Sequence, residues 1–169
     1  GRNMGNSILD RVSYHAVYDV SIPAALQYAK DSGFAGVQVA DESPHLSFEL
    51  LSDDDVKQIA NLVASQGLYV TLHAPDDAAS LFQCSPHLNA GIMDYYHALF
   101  SFGERVHAKL VTLHAGSMTV FPTDTDPEMR IPPEDISLYC AALRRNIEAL
   151  IRMAKDRRLM LCVENYAMD

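Results

Sequence analysis

Two histidines and one glutamate occupy comparable points of the chain. The pentapeptide Val-Thr-Leu-His-Ala occurs twice, at Val70 to Ala74 and at Val111 to Ala115, and a third apolar run, Leu159 to Glu164, ends in a carboxylate. Short apolar runs of this kind read as strands, and each of the three ionisable residues is the last of its run. Side chains alternate along a strand, so His73 shares a direction with Thr71, His114 with Thr112, and Glu164 with Cys162 and Met160. If those directions point into a barrel, the three residues meet at its mouth. Two imidazoles and a carboxylate form a ligand set for zinc, manganese or related divalent ions. A single strand-end histidine is ordinarily a hydrogen-bonded rim or core residue. The repetition argues otherwise, as does the need of a buried glutamate for a partner that a cation would supply.

The elements that must position these residues alternate regularly. Ile22, Ala25, Leu26 and Ala29 fall at helical spacing between Ser21, a candidate N-cap, and Gly33. Gly36 to Ala40 reads as a strand ended by Asp41 and Glu42. Ser52 to Asp55 resembles a capping box ahead of Val56, Ile59, Ala60 and Val63, with Gly67 as the stop. Leu68 to His73 is a strand, and Ile92, Tyr95, Tyr96, Leu99 and Val106 form the stripe of a third helix. Leu110 to His114 is the next strand. A long helix from Pro132 and Pro133 carries Ile136, Cys140, Leu143, Ile147, Leu150 and Ala154, and Leu159 to Glu164 closes the series. With a weaker strand in Val12 to Tyr18, the order is βαβαβαβαβ, which predicts parallel strands joined by helical crossovers.

Helix-to-strand connections are tight, whereas Pro75 to Ala90 and Gly116 to Pro133 are long. The long loops therefore gather at the carboxyl ends of the strands, where parallel α/β folds bind ligands. Asp53, Asp54 and Asp55 read as a helix N-terminus, and Asp124, Asp126 and Glu128 as a solvated loop. Tyr14, His15 and Tyr18 near the first strand's end read as packing or rim residues.

Thirteen Lys and Arg against twenty-two Asp and Glu leave a formal charge of −9, which opposes general binding to nucleic acid or anionic membranes. No apolar run reaches the roughly 20 residues of a membrane helix. Three cysteines without CxxC spacing indicate neither a disulfide framework nor a thiolate zinc site, and a cytoplasmic setting fits best. Residues 1–7, which begin with Gly, read as an expression remnant or a disordered terminus, leaving 8–169 as one partial barrel domain.

Phe34-Ala35-Gly36-Val37-Gln38-Val39, Leu72-His73-Ala74-Pro75, Leu113-His114-Ala115-Gly116 and Val163-Glu164-Asn165 resemble the successive strand signatures of the xylose isomerase-like TIM barrel superfamily. That superfamily holds sugar and sugar-phosphate isomerases and epimerases, and the endonuclease IV type of apurinic-site endonuclease (AP endonuclease family 2). The resemblance implies an α/β fold of parallel (β/α) TIM-barrel type, of which these residues supply the first five strands and four helices of a (β/α)8 barrel. It implies that His73 and His114 bind metal or line the sugar site and that Glu164 is a metal ligand. Gln38 stands where many relatives have an acid, and its amide would contact a substrate hydroxyl, with Asn165 as a further substrate-binding residue.

Asp76 and Asp77 follow His-Ala-Pro where the endonucleases have an aromatic and aliphatic pair, and two carboxylates repel a phosphate backbone. The expectation is therefore a small-molecule sugar or sugar-phosphate isomerase or epimerase; an abasic-site endonuclease and a catalytically incomplete structural fragment are the alternatives. Its chemistry is proton transfer next to a carbonyl through a metal-stabilised enediolate. Glu164 and His114 would be catalytic, and His73, His114 and Glu164 would hold a divalent ion such as Zn, Mn, Mg or Co. The family's further ligands come from strands six to eight, so these residues hold half a site. The chain reads as a piece of a longer enzyme, or as one of two copies that complete each other in a homo-oligomer through the open edge of the last strand.

Overall fold

The computed structural model describes residues 8–76, 78–119, 121–123 and 126–164. The segment 1–7, Asp77, Asp124 and Asn165 lie outside the described residues.

Five strands, β1 (Ser13–Ala16), β2 (Gly36–Ala40), β3 (Tyr69–His73), β4 (Ala108–His114) and β7 (Met160–Glu164), form one parallel sheet in chain order. Helices α1 (Ile22–Asp31), α2 (Asp53–Gln66), α3 (Pro86–Arg105) and α4 (Pro133–Asp156) connect them. This is the repeated unit of a parallel (β/α) barrel, and the five strands are part of one.

The local starts and stops follow the chemistry of the sequence. Ser21 Oγ accepts from the Ala24 N–H at 3.2 Å and opens α1. Ser52 and Asp55 close a reciprocal box on α2, with Asp55 N–H donating to Ser52 Oγ at 3.2 Å and Ser52 N–H to Asp55 Oδ2 at 2.8 Å. Gly67 ends that helix at φ +65°, in the left-handed region where a Cβ would be strained.

One face of the sheet is apolar and lies under the helices. Val37, Val39, Val70, Leu72, Val111 and Leu113 from the strands pack with Leu26, Ile59, Tyr96, Leu99, Phe100 and Leu150 from the helices in one buried cluster. The other face carries its polar side chains toward the carboxyl ends of the strands. Register sets His15, Gln38 and Thr71 side by side, then His73 beside Ala40 and Thr112, and finally His114 beside Glu164. A barrel interior is built of such layers, here with imidazoles and a carboxylate at the top.

Two expectations change. The acidic segment after Gly116, expected as a solvated loop, contains an antiparallel hairpin of β5 (Phe121–Thr123) and β6 (Asp126–Arg130), paired Phe121 to Arg130 and Thr123 to Asp126. Both strands are too short for a periodicity signal. The stripe on α4 is buried only in its second half: Leu150 and Ala154 are buried and Leu143 and Ile147 partly so, while Ile136 and Cys140 are exposed. At 24 residues α4 is about 36 Å long, whereas the 5 residues of β7 span about 17 Å, so the first half of the helix extends past the strand it packs on.

Among the described residues β7 pairs with β4 alone, and Met160 and Val163 are exposed on it.

Candidate metal centre

The barrel geometry brings three residues of the sequence together. His73 ends β3, His114 ends β4 and Glu164 ends β7, and one ligand atom from each lies within 4.8 Å of the others. The imidazoles meet edge to face, with ring centroids 5.0 Å apart and an interplanar angle of 86°. Both are buried at 9% and 7% exposure. The Glu164 side chain is half-exposed and is reached from the open side of the sheet.

Each imidazole turns Nε2 toward the same carboxylate oxygen. His73 Nε2 and His114 Nε2 are both 3.4 Å from Glu164 Oε2. His73 Nδ1 is 2.7 Å from the Ala74 carbonyl oxygen. A carbonyl only accepts, so Nδ1 carries the proton, and in the neutral ring Nε2 is then a lone pair. A lone pair and a carboxylate oxygen thus face each other, and a proton or a cation between them resolves the repulsion. Two donor atoms each about 2.1 Å from a tetrahedral zinc ion lie about 3.4 Å apart, so the two Nε2–Oε2 spacings and the donor chemistry fit a divalent ion. With a proton on Nε2, His73 donates to Glu164 and holds its carboxyl below the ordinary carboxylate range, against a smaller desolvation effect, and His114 lowers it further. It therefore stays ionised, as a ligand must.

Gln38 does not join this cluster. It lies half-buried between His15 and Thr71 in the layer below, on the same polar face. Asn165 lies outside the described residues.

Three residues that sequence reasoning leaves without a site role surround the cluster. Asp76 Oδ1 is 3.7 Å from His73 Nδ1 and 3.6 Å from His114 Nδ1. Glu42, taken above only as a strand terminator, accepts the Asp76 backbone N–H through Oε1 at 2.8 Å. The exposed His15 ring lies 6.3 Å from that of His73. The position of Asp76 three residues after His73 was the one signal available, because a short turn can fold such a residue back over the strand end.

Beside Glu42, Asp41 is buried at 3% exposure and accepts from the Tyr95 hydroxyl and from the Phe48 N–H, the latter at 2.9 Å. Burial raises its carboxyl above the ordinary value, and the Tyr95 and Phe48 hydrogen bonds partly offset that rise. A raised acid contributes stability that is complete below its unfolded value and is lost as pH rises through the folded value. Removing the Tyr95 hydroxyl pushes the folded value further up. Tyr95→Phe is therefore expected to cost about 1–3 kcal/mol at pH 7. At pH 4, where more Asp41 is protonated, urea unfolding should show a smaller cost; an equal cost at both pH values would refute the buried-charge account.

Comparison with known proteins agrees with this fold. The family described as xylose isomerase-like TIM barrel matches residues 26–169. No curated protein sequence matches the chain. Among solved structures, the fold is similar to D-psicose 3-epimerase from Clostridium cellulolyticum H10 at a TM-score of 0.65 and 16% identity, covering 83% of this chain and 47% of that one. It is similar to 3-keto-D-glucoside 4-epimerase from E. coli at a TM-score of 0.67 and 13% identity, covering 89% and 54%. A Thermus thermophilus protein, from a crystal soaked with zinc chloride, gives a TM-score of 0.63 and 16% identity over 90% and 55%. The chain thus spans about half the length of these structures. Five consecutive (β/α)-type strands, polar inside and apolar under the helices, together with a family match over most of its length, make this chain a member of the xylose isomerase-like TIM barrel family.

Proposed function

We propose that this chain carries half of the active site of a divalent-metal-dependent sugar isomerase or epimerase. The observation that carries the reading is the convergence of two Nε2 atoms on one carboxylate oxygen at 3.4 Å, at the carboxyl ends of three neighbouring strands. Family membership and the epimerase names of similar structures support the reaction class.

His73, His114 and Glu164 would hold the ion. When bound, it would supply Lewis acidity to neighbouring substrate oxygens. Glu164, ionised and half-exposed, is the group able to take a proton from a carbon next to the substrate carbonyl. Gln38, His15 and Thr71 line the polar face below, where side-chain donors and acceptors would meet sugar hydroxyls. We place Asn165 with them as a substrate-binding residue, from its position next to Glu164.

The charge of the mouth favours a small sugar over DNA. Asp76 stands beside the histidines with Glu42 on its backbone N–H, and the strand-to-helix connections 17–21, 41–52, 74–85 and 115–132 contain a single Lys or Arg, Arg130. A phosphate backbone would meet carboxylates there with little compensation. Among the described residues no helix is long and apolar enough to cross a membrane.

The test is deuterium incorporation from D2O at the carbon next to the carbonyl of free and phosphorylated ketoses and aldoses, followed by NMR with the gene product loaded with Mn, Co, Zn or Mg. Exchange that depends on the metal is expected. Its absence from every sugar in metal-loaded protein would overturn the proposal.

A further inference from the structure

We infer that a cavity between the connection after β2 and the first half of α3 binds a small organic ammonium ion. The inference does not depend on the metal reading, because none of His73, His114 and Glu164 lines this cavity.

Helical spacing builds one wall. Leu88, Gly91, Ile92 and Tyr95 fall at i, i+3, i+4 and i+7 and form one face of α3. Pro75 and Ala79 contribute a second wall from the connection after β3, and the connection after β2 supplies the third. The enclosed volume is about 360 Å3, within the range of small-molecule sites. Leu88 is 62% exposed and leaves apolar surface that a ligand would cover. A Cβ at Gly91 would meet no atom within 4 Å, so the fold does not exclude a side chain there. Glycine weakens a helix relative to alanine, and at this position its absent side chain leaves the cavity open.

The charge around the cavity has one sign. Glu42 and Glu49 line it, and the segments that build it, 41–52 and 74–104, contain seven Asp or Glu and no Lys or Arg. Among the described residues neither glutamate has an ion-pair partner. Apolar walls with two unpaired carboxylates are complementary to a cation carried on a hydrocarbon body. The carbon skeleton would displace water from Pro75, Leu88 and Ile92, while the ammonium N–H groups donate to the carboxylates. A neutral molecule of the same shape would gain the apolar contact alone, and an anion would be repelled.

The cavity also borders the metal centre through one residue. Glu42 Oε1 accepts the Asp76 backbone N–H at 2.8 Å, so a ligand on Glu42 would sit against the loop that stands beside His73 and His114.

The test uses three compounds of one shape, cyclohexylammonium, cyclohexanol and cyclohexanecarboxylate. Each is titrated near neutral pH into the metal-free 169-residue protein with 13C-labelled alanine and isoleucine methyls. Cyclohexylammonium is expected to shift the Ala79 and Ile92 methyls saturably, cyclohexanol to bind about tenfold more weakly, and the carboxylate not to bind. Combining Glu42→Gln with Glu49→Gln should lower the ammonium affinity to that of the alcohol. The amide oxygen at position 42 still accepts the Asp76 N–H, so the loop keeps its anchor. Gly91→Leu should abolish binding of both compounds without touching a charge. The inference is overturned by the absence of saturable shifts at Ala79 and Ile92, by cyclohexanol binding as tightly as the ammonium, or by wild-type ammonium affinity in either the double variant or Gly91→Leu.

Discussion

Glu164→Gln is expected to weaken divalent-metal binding about a hundredfold and to abolish measurable proton exchange on sugar. The amide cannot supply the anionic oxygen on which both Nε2 atoms converge. Structural zinc sites bind with about 10–16 kcal/mol spread over four ligands, so one ligand accounts for about 3 kcal/mol, and each 1.4 kcal/mol is tenfold in affinity. The exchange rate should fall further than the affinity, because the same group is the proposed base. Isothermal titration with Zn2+ or Co2+ gives the first quantity, and deuterium incorporation at saturating metal gives the second. Folding should be nearly unaffected, since the Glu164 side chain is half-exposed at a sheet edge. A Glu164→Gln protein that binds metal as the wild type does would remove Glu164 from the ligand set. If metal binding falls but exchange at saturation does not, Glu164 is a ligand and another group is the base.

Gly116→Val is expected to damage both stability and site. Gly116 sits at φ +85°, and a Cβ there would stand 2.5 Å from Ser80 Cα. Around it the loops after β3 and β4 are stapled together: the Leu81 N–H donates to the Ala115 carbonyl at 2.9 Å and Ser80 Oγ to the Ser117 carbonyl at 2.9 Å. The left-handed conformation costs a side chain about 1–2 kcal/mol. Prising the two backbones apart adds about 1–3 kcal/mol. Together these give a loss of about 3 kcal/mol, read as a lower midpoint in urea. His114 is two residues away from this contact and His73 seven residues before Ser80, so Co2+ affinity should fall as well. Wild-type stability in Gly116→Val would mean that the loops separate without cost and that the staple does not position the histidines.

Much of this organisation can be read in the chain because it rests on strong local signals. Ser21, Ser52 with Asp55, and Gly67 mark helix ends through hydrogen bonds and backbone angles that involve neighbours only. The apolar strand runs identify the sheet, and their terminal residues identify the His73, His114 and Glu164 cluster once the strands are parallel and adjacent. What stays hidden depends on distance between elements. Nothing in Asp76 as a sequence position says that its carboxylate turns back onto two histidines, or that Glu42 from another loop holds its backbone. Asp41 looks like any acid after a strand, yet it is buried against Tyr95, 54 residues away. The outer half of the α4 stripe misleads because periodicity records which face is apolar but not how far the neighbouring strand extends.

The duplicated pentapeptide does not lie in register with itself. A bulge between Val70 and Leu72 sets Leu72 opposite Val111 and His73 opposite Thr112, so one copy is displaced two residues along the barrel axis relative to the other. The two rings meet edge to face, and their outer nitrogens have different surroundings, a carbonyl next to its own strand end for His73 and the carboxylate of Asp76 at 3.6 Å for His114. Repetition in the primary structure thus becomes asymmetry in space: two identical pentapeptides place their imidazoles at different heights and in different surroundings, so the two histidines are not interchangeable.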